Sequence, residues 1–251
     1  EKIDLSGKTG LMAFTICFLP VFFGFILPFC VLANLGYGSL DIWINADLTS
    51  AIKNTIIVSG LAAFITVLLG LLMVYGIRLS GRSLPQAILP LTTIGYAAPG
   101  AVLGIGILVP LGIADNWMAD RVLDLTGYDP GLIFTGTAFA IILAYCVRFF
   151  SIAQHTVDGA FGRISPSLPN AAQSLGRNKL QVLLQIYRPL ISTSTATALL
   201  LIFVDCVKEL PATMLLRPFN FETLATRVHV QASLEDLPNA APGSILIVLI
   251  S

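Results

Sequence analysis

Long apolar runs separated by short polar stretches fill most of the chain. Crossing about 30 Å of hydrocarbon takes about 20 mostly apolar residues in a helix. Runs of that kind lie at 11–35, 48–79, 84–111, 131–150 and 189–216, and a further one, 245–250, opens just before the last residue. The first follows Lys2 and Lys8, as a signal peptide would. It is longer than the 7–15 apolar residues of such a peptide, so the pattern predicts a retained span. Pro20 and Pro28 fall inside it, which neighbouring helices make tolerable. The second run exceeds the bilayer at about 1.5 Å per residue, so its Lys53-Asn54-Thr55 end is expected in water. The closing run is too short to cross, and the chain opens on Glu1 rather than Met. The expectation is a piece of a longer protein, with five complete spans and a truncated sixth.

Between the runs, Ile113, Trp117, Val122 and Leu125 recur at helical spacing, with Asp115, Asp120 and Asp124 opposite. This suggests either a helix lying at the membrane surface, with Trp117 at headgroup level, or a plain connecting loop. Residues 222–237 mix strand-like and helical spacing and are left unassigned. Gly100 and Gly104 form a GxxxG, accompanied by Gly95, Gly106 and Gly112; small residues of this kind let helices approach closely.

Composition agrees with a bilayer solvent. Of 251 residues, 56% are hydrophobic and 11% charged, against about 25% charged in soluble domains. The mean hydropathy is +0.87. A water-soluble fold and a disordered chain are both excluded. The net charge of zero provides no basic field for nucleic acid. Cys17, Cys30, Cys146 and Cys206 all sit in apolar runs, and His155 and His229 are far apart, so no metal site is expected.

The charges are sorted by side. With the N-terminus inside, nine cations fall inside (Lys2, Lys8, Arg78, Arg82, Arg148, Arg163, Arg177, Lys179, Arg188) and four outside (Lys53, Arg121, Arg217, Arg227). Such a bias predicts a cytoplasmic N-terminus. The inner segment 151–188 contains Pro166 and Pro169 at a helix start, Asn170 in its first turn and Gly176 at its stop. This reads as a short capped helix on a basic loop, suited to docking a cytosolic partner.

Here the sequence resembles the permease subunits of binding-protein-dependent ABC importers, whose cytoplasmic signature is E-A-A-x3-G-x9-I-x-L-P. The matching residues are Asn170, Ala171, Ala172, Gly176, Ile186 and Pro189, with Asn170 in place of Glu and Arg188 in place of Leu. The resemblance implies a helix that couples to an ATP-hydrolysing subunit. It also implies an all-α polytopic bundle of the type I importer transmembrane fold. The core would be 48–251, preceded by a tail, first span and outer loop at 1–47.

The fifth run holds Asp205, Lys208 and Glu209, followed by Pro211 and Thr213. Charges at membrane depth are expensive and become functional candidates. Spacings of three and four place all three on one helix face, and Pro211 is expected to kink the helix beyond them. The stretch from Lys208 to Thr226, beginning Lys-Glu-Leu-Pro-Ala-Thr, is similar to the ferric-iron permeases, which often fuse two six-span halves. That resemblance implies a gate region around Glu209 and Fe(III) as the solute, with thiamine, a polyamine or an oxyanion as the alternative. It implies as partners two cytosolic ATP-binding subunits carrying ATP and Mg, a second permease half or identical subunit, and a periplasmic binding protein. Ser6-Gly7-Lys8-Thr9 has Lys2 where a phosphate-binding loop needs Gly. ATP hydrolysis therefore belongs to another subunit, with no cofactor bound by this chain. A membrane enzyme or passive channel is the distant rival; no nucleophile motif supports the former, and a channel has no use for the coupling motif.

Overall fold

The computed structural model describes residues 7–38, 40–80, 89–165 and 167–251. Among these residues the regular elements are all helical. The five expected crossings are present as helices α1 (Gly7–Tyr37), α2 (Ala46–Ser80), α4 (Gly100–Thr126), α5 (Ala138–Gly162) and α7 (Lys179–Val207). Shorter helices are α3 (Ile94–Ala97), α6 (Ser167–Ser174), α8 (Pro211–Leu216), α9 (Leu224–Ser233) and α10 (Leu237–Ile250).

The core is the packing of α2, α5 and α7. Small residues make it close: Ala62 and Ala63 of α2, Ala140, Ala144 and Ala153 of α5, and Ala198 of α7 are essentially fully buried. Val58, Ile141, Tyr145, Phe149 and Ile202 fill the space between them. In lipid there is little hydrophobic gain in helix association, so close van der Waals contact of this kind is what holds the bundle. By contrast α1 has no buried residue in its most apolar stretch. It leans on α10, where Gly36 lies against Ile245 and the Trp43 indole donates to Gly36 O at 3.0 Å.

Proline sets the local irregularities. π-turns occupy Phe22–Ile26 in α1 and Leu183–Tyr187 in α7. Each ends two residues before a proline, Pro28 and Pro189. Proline has no N–H to return to the carbonyl four residues earlier, and a widened turn absorbs the defect without breaking the helix.

Several expectations change. The third span does not run over 84–111: residues 84–88 lie outside the described set, 89–93 form a 3₁₀ turn, and the chain is extended at Ala98 and Pro99 before α4 starts. Pro99 cannot donate a helical hydrogen bond, so the apolar run is cut there although its hydropathy is continuous. The expected surface helix at 113–125 is not separate but the second half of α4, ended by Gly127 at φ +69°. Asp115 is fully buried rather than on a polar face with Asp120 and Asp124. Its carboxylate accepts from the backbone N–H of Ile133, Phe134 and Thr135 and from the Thr135 hydroxyl, at 2.6–3.0 Å. It thereby fastens the loop that leads into α5. The fourth helix continues past Phe150 to Gly162, which places His155 within it. The unassigned 222–237 contains α9, opened by a Thr223–Thr226 capping box.

Candidate functional site

Arg148 stands halfway along α5 between Ala138 and Asp158, about 15 Å of helix from each. Asp158 pairs with Arg78 of α2 at 2.7 Å, marking the basic end of the bundle. Arg148 therefore sits midway along α5, well away from the Asp158–Arg78 pair and not among the basic-end cations where its sequence position suggested. Removing it leaves the charge bias of the two ends in place.

Three chain segments converge on it. The first is the extended Ala98–Pro99 link, whose Ala98 carbonyl accepts from Arg148 Nη1 at 3.2 Å. The second is the Gly100 start of α4. A Cβ there would lie 2.7 Å from Glu209 Oε1 and 2.8 Å from Arg148 Nη1, so any larger residue would have to push these two side chain ends aside. The third is the interruption between α7 and α8. Pro211 has no N–H for the carbonyl of Val207, so the ladder stops and Pro211 opens α8 instead. The expected kink is a full break.

That break separates the charges predicted to share one face. Glu209 is 7% exposed and lies 3.2 Å from Arg148 Nε, an ionic contact whose N–H is not aligned as a hydrogen bond. Its Oε1 accepts from Ala212 N at 3.2 Å, capping α8. Asp205 and Lys208 pair with each other at 2.9 Å on the exposed side of α7, with 24% and 53% of their side chains accessible. Thr213 is buried and donates to Glu209 O at 2.9 Å. The Tyr145 hydroxyl then donates to Thr213 Oγ1 at 2.6 Å. Buried Glu209 and Thr213 thus form one joint with Tyr145 and half-buried Arg148, with the exposed Pro211 at its edge, while Asp205 and Lys208 face elsewhere. Arg148 was legible only as a lone cation at the edge of an apolar run; its partner lies far away in sequence.

The second site is at the basic end. Asn170, Ala171 and Ala172 lie on α6, and Leu168 and Leu175 beside them are 49% and 84% exposed. The helix stops at Gly176, φ +84°, where Gly176 N donates to Gln173 O and Arg177 N to Ala172 O, both at 3.0 Å. That closure needs a left-handed residue, which glycine supplies without strain. Asn178 and Gln181 then form a capping box that starts α7. Pro166 lies outside the described residues. Ile186 sits in the π-turn and Pro189 in the first turn after it. Next to Ile186, Tyr187 packs on Phe161 and Tyr75 with ring centres 4.7 and 5.9 Å apart. The Tyr75 hydroxyl donates to Lys179 O. The segment after α6 is therefore pinned to α2 and α5, while α6 presents its apolar side chains outward.

At the opposite, acidic end, an open cleft of ≈ 770 Å³ is bordered by Asp47, Arg217 and Glu222. Phe219 projects there with 101% of its surface exposed. Among the described residues no group of three or more His, Cys, Asp or Glu side chains could hold a metal ion.

Residues 66–250 match the family described as binding-protein-dependent transport system inner membrane component. The Fe(3+)-transport system permease protein FbpB 2 of Haemophilus influenzae is 28% identical over 82% of this chain and 38% of its own length. The ferric transport system permease protein FbpB of Actinobacillus pleuropneumoniae is 24% identical over 98% of this chain and 36% of its own length. The chain thus spans less than two fifths of the length of these two relatives. The sulfate transport system permease protein CysT of Salmonella typhimurium is 24% identical over 84% of this chain and 74% of its own length. A crystal structure of a bacterial alginate ABC transporter in complex with an alginate pentasaccharide-bound periplasmic protein superposes with a TM-score of 0.70 at 18% identity, over 96% of this chain and 90% of that one. With its helices, its apolar spans and most of its length matched, the chain belongs to the binding-protein-dependent transport system inner membrane components, as a multi-pass permease with the type I ABC importer fold.

Proposed function

We propose that this chain is the membrane-spanning part of an importer that moves Fe(III) from a periplasmic binding protein to the cytoplasm. The observation that carries the solute is the match to iron permeases over most of the chain, including the Lys208–Thr226 stretch that led to the same reading. In this reading the basic end and the N-terminus are cytoplasmic. Helix α6, with Asn170, Ala171, Ala172 and Gly176, docks on one of two ATP-binding subunits, which carry the ATP and Mg. This chain binds no cofactor and catalyses nothing alone. Ile186 and Pro189 belong to the segment that passes the displacement to the bundle. The cleft and Phe219 at the acidic end receive the loaded binding protein. Residues 48–251 form the working core, and a second permease half or identical subunit completes the path. The joint of Glu209, Pro211 and Thr213 is the gate region, with Asp205 and Lys208 beside it.

A second solute class has its own support: the sulfate permease relative matches at comparable identity over a larger share of its length. Uptake by the complete transporter in proteoliposomes separates the two. With the cognate binding protein and ATP, radioactive ferric iron accumulates and radioactive sulfate does not. Sulfate uptake without iron uptake overturns the iron reading.

A further inference from the structure

Helices α2 and α7 leave an open seam between them. A groove of ≈ 450 Å³ runs along it, with Leu71 and Leu199 packed on the core beneath and Leu68, Leu72 and Leu184 exposed at its sides. The hydroxyls in its wall are already occupied: Ser192 donates to Pro189 O at 2.9 Å and Thr195 to Ile191 O at 3.0 Å. A polar ligand would lose its water there and gain no hydrogen bond from the leucines. One end of the groove is different. Arg188 lines it at the basic end, where the apolar run 189–216 begins. It is exposed, and among the described residues no acidic group pairs with it, whereas Arg78, Arg148 and Arg163 each have a partner. From Arg188 to Leu199, α7 rises about 16 Å, close to half of a hydrocarbon core about 30 Å thick. An unpaired cation at the membrane edge thus stands at the head of an apolar trough as deep as one leaflet.

We propose that this seam holds an anionic glycerophospholipid, with one acyl chain in the leucine groove and the headgroup phosphate paired with Arg188. Guanidinium and phosphate match as a two-pronged, charge-assisted hydrogen-bonded pair. An arginine stem covers apolar wall while its charged end reaches the headgroup layer. Basic pockets between helices select anionic headgroups in the same way. A second copy of this chain, on a two-fold axis through the seam, would set groove against groove and fill neither. The lipid bridges α2 to the first turns of α7, the stretch that follows α6. The site stands on the membrane setting of these two helices alone and does not depend on which solute is carried.

The test takes the full-length transporter from liposomes containing equal parts of phosphatidylglycerol and phosphatidylcholine, and reads the retained lipids by native mass spectrometry. Phosphatidylglycerol is expected to be retained in preference to phosphatidylcholine. Arg188→Gln is expected to lower that preference about fivefold, the worth of one arginine beside an anionic headgroup, and Arg188→Lys to keep most of it. Ala196→Trp, which fills the groove from its exposed wall, is expected to lower retention of both lipids. An unchanged preference in Arg188→Gln overturns the headgroup contact, and unchanged retention in Ala196→Trp overturns the acyl groove. Loss of the preference in excess inorganic phosphate would make Arg188 a site for the free anion instead. With the exposed Cys17 and Cys30 replaced by Ser, a Leu72→Cys disulfide to a second permease unit in the lipid-replete transporter would give the seam to a second copy and overturn the lipid. Failure of the iron reading leaves every one of these outcomes unchanged.

Discussion

At the scale of single residues, the central fact is that Glu209 and Arg148 are a largely buried pair and Gly100 makes room for them. Leaving one member of such a pair alone costs about 3–5 kcal/mol, whereas replacing both with apolar groups of similar size costs far less. Arg148→Met and Glu209→Gln are each expected to lower the melting temperature of the purified complex markedly and to impair transport. Arg148→Met combined with Glu209→Leu should recover most of the stability. A double variant destabilised by the sum of the two single losses would show that the two side chains act independently. The acidic partner was visible in the sequence because a Glu in an apolar run is conspicuous. The geometry was not, because spacing arithmetic assumes an unbroken helix and Pro211 breaks it. Asp115 misled for a similar reason: helical spacing gives a direction, but only the folded loop supplies the three backbone N–H groups that turn a buried carboxylate into an anchor.

Among elements, α6 was the most legible. Its limits depend on nearby chain alone: a proline-rich start and a glycine stop. The long helices were harder, since hydropathy locates lipid-facing length but not where a proline interrupts it, as at Pro99 and Pro211. The arrangement around α6 makes a specific demand. A proline at position 176 removes the N–H that donates to Gln173 O, and its ring fixes φ near −65° where +84° is required. Gly176→Pro, or Ala172→Trp on the outward surface, is expected to leave the protein in the membrane while ATP hydrolysis no longer drives uptake. The comparison is ATPase rate against solute accumulated in the same proteoliposomes. An unchanged ratio would remove α6 from the coupling route.

For the molecule as a whole, membrane residence and fold class were plain from apolar runs and sparse charge, because the bilayer leaves few ways to satisfy a backbone. The pairing of helices was not, since it rests on alanine and glycine contacts such as Gly70 against Ala153 that carry no periodic signature. Sidedness can be tested directly. With Cys17 and Cys30 replaced by Ser, Leu175→Cys should react with a membrane-impermeant reagent only in inside-out vesicles, and Phe219→Cys only in right-side-out ones. Reversed labelling would invert the orientation and with it the placement of the ATP-binding subunits.

The chain breaks at Ala98–Pro99 and at 208–210 meet around Arg148, whereas α2 and α5 pass that level uninterrupted. Mechanically this is two continuous struts beside two jointed limbs. A push delivered at the basic end is borne by the struts as a tilt of the whole frame, and the limbs can fold at the elbow by turning a few backbone torsions. The molecule can thus change the shape of its middle without unzipping a helix, and the elbow is held by the Arg148–Glu209 salt bridge together with the Arg148–Ala98 and Tyr145–Thr213 hydrogen bonds.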